Sequence, residues 1–107
     1  MCTPEQTARN ILELCQFFDE INQLSGCRMT SLQQDLWSLK LSKILRQSFF
    51  EAQTLLNQFI IDRPATARRN LLPLFDGLSR GLEFKNSPFV ETYLSRTLET
   101  LRQSSGH

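Results

Sequence analysis

The sequence predicts an all-α fold, organised as a single domain of the four-helix-bundle type. Strand-forming residues are scarce, because valine occurs once and isoleucine five times, whereas the helix-forming leucine, glutamine, arginine and glutamate are abundant. Apolar residues recur every three or four positions over long stretches, which is the periodicity of amphipathic helices. A length of 107 residues suits one hydrophobic core and leaves no room for a second domain.

The first helix is predicted over 3–25. Thr3 can cap it, Pro4 suits its first position, and Gln6 stands where a capping box places a glutamine. Ser25-Gly26 provides the stop. Apolar side chains cover more than half of the circumference, so we expect this helix to contact two or more neighbours, inside the bundle or across a subunit boundary.

The second helix, predicted over 30–61, is expected to be the one long central helix of the fold. A capping signature occupies residues 29–33. From Trp37 to Ile61, apolar residues form a continuous stripe that no glycine or proline interrupts. We therefore expect other helices to cover this stripe.

Some apolar residues of the same segment lie off the stripe. Leu32, Leu36 and Leu39 fall on the opposite face of the helix. Either both faces are covered there, or the helix bends between Leu39 and Ser42 into two segments. We favour one long helix, straight or bent.

Two further helices complete the predicted bundle. The third, over 65–82, contains Pro73, which removes a backbone hydrogen bond and is expected to kink or split the helix. The fourth, over 88–103, opens with Ser87 as its cap and a proline at its first position. Residues 104–107 are polar and are expected to form a disordered tail.

The residue inventory argues against catalysis. His107 is the only histidine, and Cys2, Cys15 and Cys27 show no Cys-x-x-Cys spacing, so the common nucleophilic mechanisms and zinc sites lack their base and ligands. The segment 77–81, Gly-Leu-Ser-Arg-Gly, matches the nucleophile elbow of hydrolases, but that motif needs a preceding strand and a histidine base. We predict no enzymatic activity, no catalytic residue, no cofactor and no metal.

Composition also bears on location. No apolar run approaches the roughly 18 residues that cross a bilayer, and the N-terminus lacks a basic region followed by an apolar one. An odd number of scattered cysteines is typical of free thiols in a reducing compartment. The prediction is a cytoplasmic protein without membrane contact.

Surplus apolar surface supports the leading functional hypothesis, a non-enzymatic protein-binding module. The predicted helices carry more apolar residues than four helices of unequal length can bury, and such patches usually mark interfaces. The module would act as an adaptor, chaperone, inhibitor or regulatory subunit, on another protein or as a homodimer. Its candidate binding residues are the aromatic anchors and the apolar residues that lie off the main stripes: Phe17, Leu36, Trp37, Leu39, Phe50 and Ile61.

Nucleic-acid binding is the alternative hypothesis. Arginines concentrate around the third helix, where they could contact phosphates: Arg63, Arg68, Arg69 and Arg80. The simpler interpretation is that they are surface residues paired with nearby acidic residues, namely Asp62, Asp76 and Glu83. A net charge of only +1 and the lack of a nucleic-acid-binding motif weigh against the alternative.

Overall fold

The computed structural model describes residues 3–24, 26–81 and 84–103, and within these ranges it contains helices and no strand. The all-α fold is confirmed, but the described residues form five helices where the sequence predicts four. In chain order the helices are α1 (Pro4–Gln23), α2 (Ser31–Gln47), α3 (Phe49–Asp62), α4 (Pro64–Arg80) and α5 (Pro88–Gln103).

Side-chain caps set the starts of the first two helices. Thr3 Oγ1 accepts a hydrogen bond of 3.1 Å from the backbone N–H of Gln6 at the start of α1. At the start of α2, Thr30 and Gln33 form a reciprocal capping box: Thr30 Oγ1 accepts from Gln33 N at 3.2 Å, and Gln33 Oε1 accepts from Thr30 N at 2.8 Å. These bonds satisfy backbone donors that a helix leaves without a partner.

The predicted long central helix is wrong, because a break at Ser48 divides it into α2 and α3. Ser48 has φ −139° and ψ 43°, outside the helical region. The break lies beyond the segment 39–42, where the sequence pattern allows a bend. The residues on either side remain helical up to Gln47 and again from Phe49.

A buried side-chain contact from α1 explains the break. Asn10 and Ser48 are each only 1% exposed, and Asn10 Nδ2 donates to Ser48 Oγ at 3.0 Å and to Gln47 Oε1 at 3.2 Å. Gln6 Nε2 completes the cluster by donating to Asn10 Oδ1 at 3.0 Å. Because buried polar groups need partners, this cluster favours the non-helical geometry that holds the Ser48 hydroxyl against Asn10.

A single residue, Arg63, joins α3 to α4. Its φ of −138° and ψ of 66° fit a residue that precedes a proline, for which helical geometry is disfavoured. The following helix then runs without interruption through Pro73, so of the two predicted alternatives the split is wrong and the kink stays a prediction. The helix α5 spans the predicted range 88–103. The predictions for Ser25, Leu82 and the tail 104–107 lie outside the described residues.

The central position belongs to α4, which contacts each of the other four helices. The segment predicted to be central supplies α2, which contacts α1, α3 and α4, and α3, which lies against α2, α4 and α1. The buried residues of α4 are Ala67, Asn70, Leu71, Leu74, Phe75 and Leu78. Within the described ranges, no helix has both the length and the apolarity needed to cross a bilayer.

Candidate binding surfaces

Three leucines form an exposed apolar surface on α2, here called the leucine face. Leu32, Leu36 and Leu39 are spaced at i, i+4 and i+7, and they are 80%, 49% and 68% exposed. Trp37 and Leu41, on the other side of the same helix, are buried. The helix is therefore apolar on two faces, and the protein's own core covers only one of them.

A small hollow adjoins the leucine face at its C-terminal end. It has a volume of about 190 Å³ and lies between α2 and the C-terminal end of α4, where it is lined by Ser38, Leu39, Gly77, Leu78 and Gly81, the residue that follows α4. A Cβ added at Gly77 would meet no atom within 4 Å. The hollow therefore offers open space beside the exposed Leu39 side chain.

Charged residues differ between the two halves of α2. Asp35 is exposed in the N-terminal half, and Lys43 is exposed in the C-terminal half. Both lie on the solvent side of the helix, close to the leucine face by helical position. The leucine face consequently has an acidic end and a basic end.

Two predicted binding residues, Phe17 and Trp37, are core residues. They are 0% and 3% exposed, and their ring centroids are 4.5 Å apart at the contact between α1 and α2. Trp37 Nε1 donates a hydrogen bond of 2.8 Å to Glu20 Oε2. The edge of the apolar arc of α1 meets α2 at this point, so neither ring is available to a partner, and the sequence prediction is corrected.

Phe50 and Ile61 are exposed, each at 72%, but they lie at opposite ends of α3. Eleven residues separate them, which corresponds to roughly 16 Å along a helix. Ile61 borders a groove of about 450 Å³ between α3 and α5, where Tyr93 OH donates to Asn57 Oδ1 at 3.2 Å. Of the six predicted binding residues, only Leu36 and Leu39 are adjacent to each other on an exposed helix face, since about three turns of α3 separate Phe50 from Ile61.

Four arginines line a second groove, here called the arginine groove. It has a volume of about 470 Å³ and contains Arg28 from the α1–α2 connection, Arg68 and Arg69 from α4, and Arg102 from the last turn of α5. Asp76 also lines it and accepts from Arg102 Nη2 at 3.1 Å.

Only two of the four predicted arginines therefore lie together in this groove. Arg68 and Arg69 line the arginine groove, whereas Arg63 does not. Arg80 instead forms an ion pair of 2.8 Å with Asp76. This agrees with the simpler interpretation of the sequence, in which the arginines are surface residues paired with nearby acidic residues. Nucleic-acid binding by all four arginines stays a prediction.

Sequence reasoning missed several surface residues. Helical spacing places Leu32 on the face of Leu36 and Leu39, but the predicted binding set omits it. No local pattern could have added Arg28, whose position depends on a hydrogen bond of 3.0 Å from Met29 N to Asn70 Oδ1 across 41 residues of chain. Leu12 and Phe89 are also exposed, at 60% and 76%.

The remaining motifs show no assembled chemistry in the part of the chain that the structure describes. No three side chains of the metal-binding types come together there. The Gly-x-Ser-x-Gly segment lies at the end of α4, and Ser79 Oγ donates to the backbone carbonyl of Asp76 at 3.0 Å, an ordinary contact within a helix.

No protein-family model matches the chain, and neither a curated protein nor a solved structure does so. The leucine face and the arginine groove are therefore the features from which a function can be inferred.

Proposed function

We propose that the chain is a non-enzymatic protein-binding module that forms a homodimer through the leucine face of α2. The observation that carries this proposal is the row of three leucines on the side of α2 that faces away from the core. Adaptor, chaperone, inhibitor or regulatory-subunit roles are all compatible with binding through an apolar helix face. The exposed free thiols of Cys15 and Cys27 suit the reducing environment of the cytoplasm, where we place the module.

The free energy of apolar burial favours covering this face. Burying a leucine side chain stabilises a protein by about 1.5 to 3 kcal/mol relative to leaving it in water. Leu32 and Leu39 forgo most of that gain in the monomer, because they are 80% and 68% exposed. Contiguous apolar surface on a soluble protein usually marks an interface.

The charges on α2 favour a second copy of the same helix as the occupant. A two-fold axis near Leu39 would place two α2 helices antiparallel, with the same surface used by both copies. Asp35 of one copy would then face Lys43 of the other, and the reverse pair would form on the far side of the axis. A parallel pair would instead set like charges beside each other.

Light scattering after size exclusion, at tens of micromolar protein, tests the dimer. We expect the unmodified chain to have twice the monomer mass and the double variant Leu36→Glu/Leu39→Glu to be a monomer. Four buried leucines are lost per dimer, so the dissociation constant should rise on the order of 1,000-fold or more. Both positions are solvent-exposed, so the fold of the monomer should be retained.

Phe89→Glu provides the matched control. Phe89 is 76% exposed in the first turn of α5, where an acidic residue suits the helix dipole, and it lies outside the leucine face. This variant should remain a dimer. Dissociation of the control would show that the leucine face is not the interface.

A charge exchange tests the antiparallel arrangement. Asp35→Lys should weaken the dimer by about fivefold for each ion pair lost, and the double variant Asp35→Lys/Lys43→Asp should restore it. A monomeric unmodified chain at every concentration would refute the homodimer. Binding of a helix from another protein to the leucine face of that monomer would then identify a different occupant.

A further inference from the structure

We propose that the arginine groove is a binding site for a phosphate monoester, the dianionic group carried by phosphorylated small molecules and by phosphorylated protein side chains. The site goes beyond the proposed dimer and uses none of its residues. Its success or failure is therefore independent of the oligomeric state.

The groove has a large excess of positive charge. Its lining residues carry four guanidinium groups and one carboxylate, that of Asp76. This carboxylate is already shared, because Asp76 Oδ1 accepts from Arg102 and Asp76 Oδ2 pairs with Arg80 at 2.8 Å. Within the described ranges, no carboxylate lies within 4.0 Å of Arg28, Arg68 or Arg69. Three guanidinium groups are consequently available to an anion.

A buried contact joins the two backbone segments that carry Arg28, Arg68 and Arg69 before any ligand binds, while Arg28 and Arg68 themselves are exposed. Asn70 is 1% exposed, and its Oδ1 accepts from Met29 N at 3.0 Å, which ties the connection that carries Arg28 to the helix that carries Arg68 and Arg69. The connection between α1 and α2 contains Gly26, whose φ of 87° is a backbone conformation that favours glycine. A Cβ added at Gly26 would lie 3.9 Å from Arg69 Nη1, so the turn approaches that guanidinium closely.

The chemistry and size of the groove select the ligand. A guanidinium group donates two parallel hydrogen bonds to phosphate oxygens, and clusters of arginines are a recurrent means of recognising phosphorylated groups. A volume of about 470 Å³ suits a small organic ligand. Ala65, Leu72 and Pro73 also line the groove and offer apolar contact to the organic part of an ester.

The same features disfavour a nucleic-acid strand. A strand carries a phosphodiester at every nucleotide and needs a basic track along which successive phosphates can lie. Here the arginines converge on one groove, Arg80 is held by Asp76, and Arg63 does not line the site. The net charge of the chain is only +1.

Isothermal titration of the full chain with phenyl phosphate, at constant ionic strength, tests the proposal. We expect saturable one-site binding, and we expect Arg68→Gln/Arg69→Gln to weaken it roughly 100-fold, since each charge-assisted contact is worth about tenfold or more. Arg28→Gln should weaken binding roughly tenfold. The effect of Arg28→Gln would show that a residue outside α4, brought to the groove only by the fold, contributes to binding.

Arg9→Gln/Arg96→Gln is the matched control. It removes the same two charges from exposed positions on α1 and α5 that do not line the groove. Binding should change by less than about threefold. An equal loss in both double variants would reduce the effect to net charge and overturn the site. Backbone amide shifts on titration of the unmodified chain give a second measurement that needs no variant, and changes away from residues 28, 65–76 and 102 would also overturn it.

Three further probes distinguish the sources of the phosphate. A peptide with phosphoserine that binds more tightly than phenyl phosphate would identify a phosphorylated protein as the source, provided that the unphosphorylated peptide does not bind. Weaker binding of that peptide than of phenyl phosphate would identify a small phosphorylated molecule. Inorganic phosphate that binds as tightly as phenyl phosphate would overturn the role of the ester. Tighter binding of a 20-nucleotide single strand, with a steep salt dependence, would replace the proposal by nucleic-acid binding.

Discussion

Individual residues of this chain show how one amino acid type can have opposite effects on stability. Gly77 lies inside α4 with an unstrained backbone and open space around it, whereas Gly26 has φ 87° in the connection between α1 and α2. A glycine inside a helix destabilises it relative to alanine, but a glycine at positive φ relieves a steric clash that any side chain would suffer.

Substituting the two glycines by alanine should therefore give effects of opposite sign. Gly77→Ala is expected to raise the free energy of unfolding by about 0.5 to 1 kcal/mol, because it removes backbone entropy from the unfolded chain and meets no neighbour. Gly26→Ala is expected to lower it by about 1 to 2 kcal/mol. Urea unfolding followed by the fluorescence of Trp37, the only tryptophan, measures both. Effects of the same sign would contradict this account.

The aromatic residues mark the limit of prediction at this scale. Helical periodicity places Phe17 at the edge of an apolar arc but does not tell whether the edge meets solvent or another helix. The structure places Phe17 against Trp37, with 4.5 Å between the ring centroids. Neither ring is therefore accessible to a binding partner. Leu36 and Leu39 could be identified from the sequence because they lie directly opposite the buried stripe of their own helix.

At the scale of helices, the break at Ser48 is the feature that sequence reasoning could not find. Serine is only a mildly poor helix former, and neither glycine nor proline occurs nearby. The break depends on Asn10, which lies 38 residues upstream and reaches Ser48 only in the folded chain. The helix starts at Thr3, Thr30 and Pro88 were predictable, since caps and N-terminal prolines are local signals.

A double-mutant cycle measures this coupling between helices. Asn10→Ala and Ser48→Ala should each lower the free energy of unfolding by about 1 to 3 kcal/mol, because each leaves a buried polar partner unsatisfied. Their effects should fall short of additivity by about 0.5 kcal/mol or more, since both remove the same 3.0 Å contact.

Thr54→Ala is the control for that cycle. The Thr54 hydroxyl is exposed and donates only to the backbone carbonyl of Phe50 within α3, so its loss should change stability by no more than about 0.5 kcal/mol. Full additivity of the two buried substitutions would show that the Asn10 contact does not maintain the break.

At the scale of the whole molecule, α4 lies at the centre of the fold and contributes to both candidate surfaces. Its first half supplies Arg68 and Arg69 to the arginine groove, and its last turns supply Gly77 and Leu78 to the hollow beside the leucine face. The sequence predicted the all-α class but not the five helices, and it identified two of the three leucines of the leucine face as binding residues. The sequence could not predict the arginine groove, because three separate segments form it.

The stability of the whole molecule should depend on pH through Tyr93. Burial raises the pKa of Tyr93 above its ordinary value of 10.0, although a hydrogen bond with Thr97 acts in the opposite direction. The unfolded chain therefore loses the Tyr93 proton at a lower pH than the folded chain does. The stabilisation that comes from protonated Tyr93 is fully present below pH 10.0 and is lost as the pH rises further. The free energy of unfolding should fall by no more than about 1.4 kcal/mol per pH unit through this one group.

Alkaline unfolding in urea tests this dependence. Tyr93→Phe should flatten the decline of stability above pH 10.0, at the loss of about 1 kcal/mol from the hydrogen bond to Asn57. Because Tyr93 is the only tyrosine, ultraviolet absorbance of tyrosinate reports its titration directly in the folded chain. An ordinary tyrosine titration in the folded protein would contradict the effect of burial.

Ser48 and Arg63 each serve as a one-residue joint, so three consecutive helices follow each other with almost no slack. An inserted residue inside any of these three helices would turn the side chains that follow it in that helix by about 100° and move apolar rows outward, and a one-residue joint leaves little slack to compensate. Evolution can therefore change the length of this chain most easily between α1 and α2 or between α4 and α5. The order and spacing of residues 31–80 would have to be inherited as one block.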